Sequence, residues 1–261
     1  MDKLNNMVTS NLIGGLGNYL FQIATSLAIT LDNNDKLIYD ENDVTVVHKP
    51  INNYKDNIFR NLHFDKIDCK LTHYNEPNFH FDKINYTPNL KLNGYFQSEK
   101  YFNHQREKIL DFFSPTKNIL EKLKTKYPFI DKSNICSIHV RRGDYLRLPN
   151  HHPICSSVYY GEAIKYIGAD NVFLVFSDDI EWCKQTFKGS SFIFVENNTD
   201  FEDIYLMSMC KNNIIANSSF SWWGAWLNNN TDKKVVAPST WFGVAITHNT
   251  KDLIPETWKI I

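Results

Sequence analysis

At roughly 150 residues per domain, a chain of 261 residues accommodates one or two domains with a buried core. Hydrophobic residues make up 43% and charged residues 22%, a balance that excludes a mainly disordered chain. The 28 Lys and Arg against 29 Asp and Glu leave a formal charge of −1, which excludes a global basic field for nucleic acid, so any anion site must be local.

The N-terminus carries no charged segment leading into an apolar one, and no run approaches the roughly 18 apolar residues of a membrane span. A cytoplasmic location without a transmembrane segment is therefore expected. The five cysteines, Cys69, Cys136, Cys155, Cys183 and Cys210, form no Cys-x-x-Cys pair and read as reduced thiols. Residues 8–13 predict a strand, 14–17 a sharp glycine loop, and 18–31 a helix with Leu20, Ile23, Ala24 and Leu27 on its apolar side. Residues 36–39 predict the next strand. Residues 41–90 are rich in Asn, Asp, His and aromatics and show no sustained period, so no element is predicted there.

Phe112, Phe113, Ser114 and Pro115 form a helix-starting turn that marks a boundary. Beyond it come a helix at 117–126 and a strand at 135–140. Strands at 172–176, 192–195, 214–216 and 235–237 then alternate with helices at 159–167, 180–187, 201–210 and 220–227. This alternation predicts a parallel sheet covered on both faces. Ligands of such sheets bind beyond the carboxyl ends of the strands, which directs attention to Arg141-Arg142-Gly143-Asp144, Ser177-Asp178-Asp179 and Asn217-Ser218-Ser219.

Four segments could carry chemistry. Gly15, Gly17 and Asn18 lie where a backbone could approach a ligand at a helix N-terminus; a plain tight turn and a dinucleotide loop are the competing readings, the latter weakened because Leu20 replaces a small residue. Arg141 and Arg142 end a buried strand, with His139 and Arg141 on one face and Val140 and Arg142 on the other. Two guanidinium groups there require anions: a phosphate, or a structural pair with an acid such as Asp144, which could alternatively serve as a base. Asp203 sits in the first turn of a helix, as acids often do. Ser218 and Ser219 open another helix, suited either to capping or to a diphosphate; Trp222, Trp223 and Trp226 fit a buried helix better than a sugar platform. His151 and His152 form a minor metal candidate that no cysteine pair completes, and no Asp-x-Asp motif occurs.

The segments GGLGNYLFQIA (14–24), HVRRGDY (139–145), FSDDIEWC (176–183) and NSSFSWWGAWL (217–227), in this order, resemble the α-1,2-fucosyltransferases, glycosyltransferase family 11. The resemblance implies a GT-B fold of two Rossmann-like α/β domains, expected as residues 1–114 on the acceptor side and 115–261 binding the GDP-sugar. It implies inverting transfer of L-fucose from GDP-β-L-fucose to a hydroxyl of a glycan, expected to be galactose-terminated, with no cofactor and no metal required. Carried over by residue, the motifs place Arg141 on the β-phosphate; Asp144, which matches the motif's acid and follows the arginine pair by two positions, is the preferred catalytic base. His139, Arg142, Asp203 as guanine reader, Ser218, Ser219 and Phe220 complete the nucleotide-sugar site, supported by Asp178 and Asp179. Tyr19 stands where the family usually has Gln, which leaves the acceptor open. An enzyme using another GDP-sugar or a protein hydroxyl, and a non-catalytic GDP- or glycan-binding module, remain as alternatives.

Overall fold

The computed structural model describes residues 6–46, 49–131 and 134–261. These form two compact units, Met1–Pro115 with His248–Pro255, and Thr116–Thr247 with Glu256–Ile261.

The first unit contains β1 (Met7–Ser10), β2 (Leu12–Gly14), α1 (Leu16–Asn33), β3 (Lys36–Tyr39), β4 (Val44–Val46), α2 (Asn52–Lys55), β5 (His63–Phe64), β6 (Thr72–Asn75), β7 (Leu90–Asn93) and α3 (Arg106–Phe112). Five strands make an all-parallel sheet in the order β5-β3-β1-β7-β6, while β2 and β4 form a separate parallel pair. The strand expected over residues 8–13 is thus two strands belonging to two sheets. Gln22, fully buried on α1, holds the break: its side chain accepts from the Ile13 N–H (3.0 Å) and donates to the carbonyls of Ile13 (3.3 Å) and Gly94 (3.0 Å). The buried amide thereby satisfies both the N–H and the carbonyl of Ile13, and is itself satisfied by them and by Gly94.

Helix α1 begins two residues earlier than expected, with Gly15 at its N-cap, so Gly17 lies inside its first turn. The sharp turn is carried by Gly14 at φ +101°, a conformation L side chains rarely adopt. Buried residues surround α1, including Leu16, Leu20, Phe21, Ile23, Ala24 and Ala28, which makes it an internal helix. Within residues 41–90, strands of two to four residues were too short to show alternation, and residues 76–89 join β6 to the parallel β7 without a helix.

The second unit contains α4 (Lys117–Lys126), β8 (Ile135–Val140), α5 (Ser157–Ile167), β9 (Val172–Ser177), α6 (Ile180–Thr186), β10 (Phe192–Phe194), α7 (Asp200–Met209), β11 (Asn212–Ile214), α8 (Ser219–Trp226), β12 (Val235–Ala237) and β13 (Lys259–Ile260). Its parallel sheet runs β10-β9-β8-β11-β12-β13, which counted within the unit is the doubly wound order 3-2-1-4-5-6. All six residues of β8 are buried. Strand β11 starts two residues before the expected 214 because Asn213 is buried yet satisfied, donating to Ser137 Oγ (2.7 Å) and the Met207 carbonyl (2.8 Å).

Trp222, Trp223 and Trp226 are at most 1% exposed and pack on one another, and Trp222 also packs on Trp258; the three belong to the core. Among the described residues no helix is long and apolar enough to cross a membrane. Helices α7 and α8 touch at Gly224, where an added Cβ would stand 2.8 Å from Met207 Cβ. Gly224→Ala is expected to destabilise the protein by about 1–3 kcal/mol through overpacking, a loss that urea unfolding measures directly. An unchanged midpoint would show that the two helices can separate without cost.

Candidate functional site

The order of the second sheet reverses between β8 and β11, so a crevice opens at their carboxyl ends. The chain delivers its charged residues to that edge. Arg141 and Arg142 leave β8, Asp178 and Asp179 leave β9, Asp203 follows β10, and Ser218 and Ser219 follow β11.

The arginines point different ways and take different acids, as strand alternation requires. Arg141 pairs through Nη2 with Asp144 Oδ1 (2.8 Å) and through Nη1 with Asp178 Oδ2 (3.1 Å). Arg142 pairs through Nε with Asp179 Oδ2 (2.9 Å), and its guanidinium carbon lies 4.1 Å from the centre of the Trp182 ring. Asp178 also accepts the backbone N–H of Arg142 (2.9 Å), so one carboxylate fixes both the turn and the first guanidinium. A Cβ at Gly143 would lie 2.7 Å from Asp178 Oδ2, which explains the glycine between the arginines and the acid. Asp179 further caps α6 by accepting the Trp182 N–H (3.2 Å).

His139 is 5% exposed, and burial together with the Arg141 charge pushes its pKa down to about 3. Its ring is therefore neutral at physiological pH. The His139 ring lies 5.4 Å from that of Phe220 on α8, and among the described residues its Nδ1 has no hydrogen-bond partner. Ser218 caps α8, accepting the Phe220 N–H (3.3 Å), with Ser219 as the first helical residue.

Asp203 stands apart from the arginines. Glu202, next to it, is absorbed by structure: it closes a capping box with Thr199 and pairs with Lys122 (2.5 Å). Asp203 accepts a bond from the Asn198 side chain (2.9 Å), and burial, with Asp200 and Glu202 nearby, pushes its pKa up to about 7. Unlike Glu202, it takes no part in the capping box.

In the first unit, Asn18 accepts from Gln97 Nε2 (2.8 Å), which ties the glycine turn to the loop after β7. Trp182 and Tyr145 carry no separate role in the sequence reading. Trp182 was visible only as position i+3 from Asp179. Tyr145 donates to the Asn217 carbonyl (3.0 Å) and stacks on His152 at 4.8 Å, and Asn217 in turn donates to the carbonyls of Pro153 (2.8 Å) and Trp241 (2.9 Å). His152 is thus a stacking residue. Among the described residues no group of three or more His, Cys, Asp or Glu could hold a metal ion.

Comparison with known proteins gives a match to the family described as Glycosyl transferase family 11 over residues 1–260. An alpha-1,2-colitosyltransferase of Escherichia coli is 34% identical, the alignment covering 97% of this chain and 98% of that protein. Galactoside alpha-(1,2)-fucosyltransferase 1 of Alouatta belzebul is 30% identical over 54% of this chain and 43% of its own length, so the match spans less than half of that relative. Among solved structures, the Bradyrhizobium α-1,6-fucosyltransferase NodZ, in crystals soaked with GDP-fucose, aligns with a TM-score of 0.55 at 13% identity, covering 85% of this chain and 92% of that one. The shared feature at that identity is the fold, the two-sheet α/β architecture of GT-B fucosyltransferases.

The raised Asp203 has a measurable consequence. Between about pH 4 and about pH 7 the folded protein holds a proton there that the unfolded chain releases, so this group's contribution to stability falls as pH rises through that window. Glu76, likewise pushed up to about 7 by burial, acts in the same direction. Asp203→Asn should therefore reduce, without abolishing, the loss of stability between about pH 5 and about pH 7.5 in urea unfolding. An identical slope in both proteins would show that Asp203 titrates normally.

Proposed function

Because the chain belongs to glycosyl transferase family 11, a family of enzymes, we propose that it transfers L-fucose from GDP-β-L-fucose to a galactose-terminated glycan with inversion, forming an α-1,2 linkage. The observation that carries this reading is the arginine pair at the switch point of the second sheet. The names of two relatives support the linkage, since both specify α-1,2 transfer. A second reading, transfer of a different sugar from a GDP donor, draws on the colitosyl transfer named for the relative that aligns along almost its whole length. Parallel assays with GDP-fucose and GDP-colitose separate the two.

In this reading the second unit holds the donor and the first the acceptor. Arg141 binds the β-phosphate and neutralises charge as the glycosidic bond breaks, Arg142 braces the turn from the opposite face, and Ser218, Ser219 and Phe220 bring the N-terminal end of α8 to the diphosphate. His139, neutral, serves as a hydrogen-bonding and packing group. Asp144 is already paired with Arg141, so we assign it to orienting the guanidinium in preference to the general-base role. Asp203 reads the N1–H and exocyclic amine of guanine. No step needs a metal. The five free thiols, three of them buried, suit a reducing compartment and so a cytoplasmic location.

Incubation with GDP-fucose and galactose-terminated acceptors, read by mass and linkage, tests the whole reading. Arg141→Ala should lower transfer by about 100-fold or more, about 3 kcal/mol of lost stabilisation, and Arg141→Lys should rescue poorly because the planar fork is gone. Near-normal turnover in either variant, or transfer abolished by EDTA and restored by metal, would contradict the mechanism. Asp203→Asn should weaken GDP binding by about 1.5–3 kcal/mol in calorimetry. Equal affinity of the unaltered protein for GDP and ADP would remove Asp203 as the base reader.

A further inference from the structure

At the carboxyl edge of the first sheet, where the strand order reverses between β1 and β7, three asparagine amides run across three strands. Asn11, just past β1, donates from Nδ2 to Asn93 Oδ1 (2.6 Å). Asn93, the last residue of β7, donates to Oδ1 of Asn75 (3.0 Å), its register partner at the end of β6. His73 Nδ1 lies 3.3 Å from Asn93 Nδ2, and its position two residues before Asn75 puts both on one face of β6. Asn11 and Asn93 are half-buried whereas Asn75 and His73 are exposed, so the row is anchored at β1 and open at β6.

The loop immediately beyond β7 is held in an unusual conformation beside this row. Glu76 accepts the backbone N–H of Tyr95 (2.7 Å) and of Phe96 (3.0 Å). Phe96, buried, stands at φ 53°, a region that bulky residues rarely occupy. Gly94 is required because a Cβ there would meet Glu76 Cβ at 2.4 Å, and Gln97 ties the far side of the loop to Asn18. Such strain persists where the surroundings over-determine it, commonly at binding sites. Tyr95, two residues beyond Asn93 in this loop, is 40% exposed.

We infer that Asn75, Asn93, His73 and Tyr95 form a saccharide subsite that takes the galactose-terminated acceptor. The inference rests on the transferase reading above. An amide offers a donor and an acceptor side by side, as a hydroxyl does, so a row of amides matches the vicinal hydroxyls of a sugar. The row itself contains no carboxylate, lysine or arginine; Lys91, the register partner of His73, is buried and paired with Asp43 (2.5 Å), and the Glu76 oxygens are occupied by backbone donors, which favours a neutral polyhydroxyl ligand over a phosphate or an organic acid. An exposed tyrosine adds an apolar ring face with a polar tip. The position obeys the same rule as the second unit, a ligand outside the carboxyl ends of parallel strands where the order reverses.

The experiment uses the full chain with two readouts. In transfer assays Asn75→Ala and Tyr95→Ala, both at exposed positions, should each raise the acceptor KM by about ten-fold while leaving GDP affinity and acceptor-free hydrolysis of GDP-fucose unchanged. In saturation-transfer NMR without any nucleotide, lactose and N-acetyllactosamine should bind the unaltered protein and lose binding in both variants. Retained saccharide binding in the variants, an unchanged acceptor KM, or no binding of either saccharide to the unaltered protein would overturn the subsite. Saccharide binding that depends on these residues in a protein that transfers nothing from GDP-fucose would leave the subsite standing and overturn the transferase reading instead.

Discussion

The architecture of the second unit turns on one electrostatic constraint: two guanidinium groups at the end of a fully buried strand. An ion taken out of water without compensation costs several kcal/mol even after relaxation, so Arg141 and Arg142 could not stand at the end of β8 alone. Compensation comes from the neighbouring strand, where consecutive acids face consecutive arginines. The register of β8 against β9 thereby becomes a charge-matching condition as well as a packing one. A slip of one residue would turn each arginine to the wrong face, away from its acid. Gly143 is a consequence of the same arrangement, since only a residue without Cβ lets the turn close over Asp178.

The pairing also divides labour between the arginines. Arg142, bonded through Nε and stacked over Trp182, is committed to the protein, and its planar fork is fixed on two sides. Arg141 is held by its two terminal nitrogens between Asp144 and Asp178, with more of its side chain exposed than that of Arg142. A phosphate competing for Arg141 would meet a guanidinium already oriented by carboxylates, and with three acids against two arginines it would have to displace one of those carboxylates to bind. Orientation is therefore gained at some expense in affinity, a balance that suits a group meant to act when charge develops on a leaving diphosphate.

How much of this was legible in the sequence follows from which physical signals are local. The βαβ alternation after residue 115, the burial of the tryptophans and the opposite facing of Arg141 and Arg142 are consequences of periodicity, and periodicity is written in the chain. Their partners were not. Nothing local to Asp178 and Asp179 says which arginine each takes, and Trp182 under Arg142 is a contact between β8 and α6 that only tertiary structure creates. The first unit was harder because its strands are two to four residues long and its organising residue, Gln22, is a buried polar side chain within an apolar helix. A residue type that usually signals a surface here closes the break between two sheets, and the expected single strand over 8–13 missed it for that reason. Asn213 misled the start of β11 in the same way.

The two carboxyl edges differ in chemistry in a manner that a transferase needs. Both sheets are parallel and both reverse order at one point, so backbone geometry alone would equip them alike. The second edge collects formal charge: two arginines, the acids Asp144, Asp178, Asp179 and Asp203, and the capped end of a tryptophan-rich helix. The first collects amides, an imidazole and an exposed phenol, with Glu76 turned to hold backbone and Asp43 paired with Lys91. A diphosphate demands cations and helix N-termini, whereas a neutral sugar gains little from a net charge and is discriminated by paired donors and acceptors whose loss leaves buried polar groups unmatched. The side chains laid over a shared backbone plan thus make the two edges chemically unlike, one lined by ion pairs and the other by neutral amides.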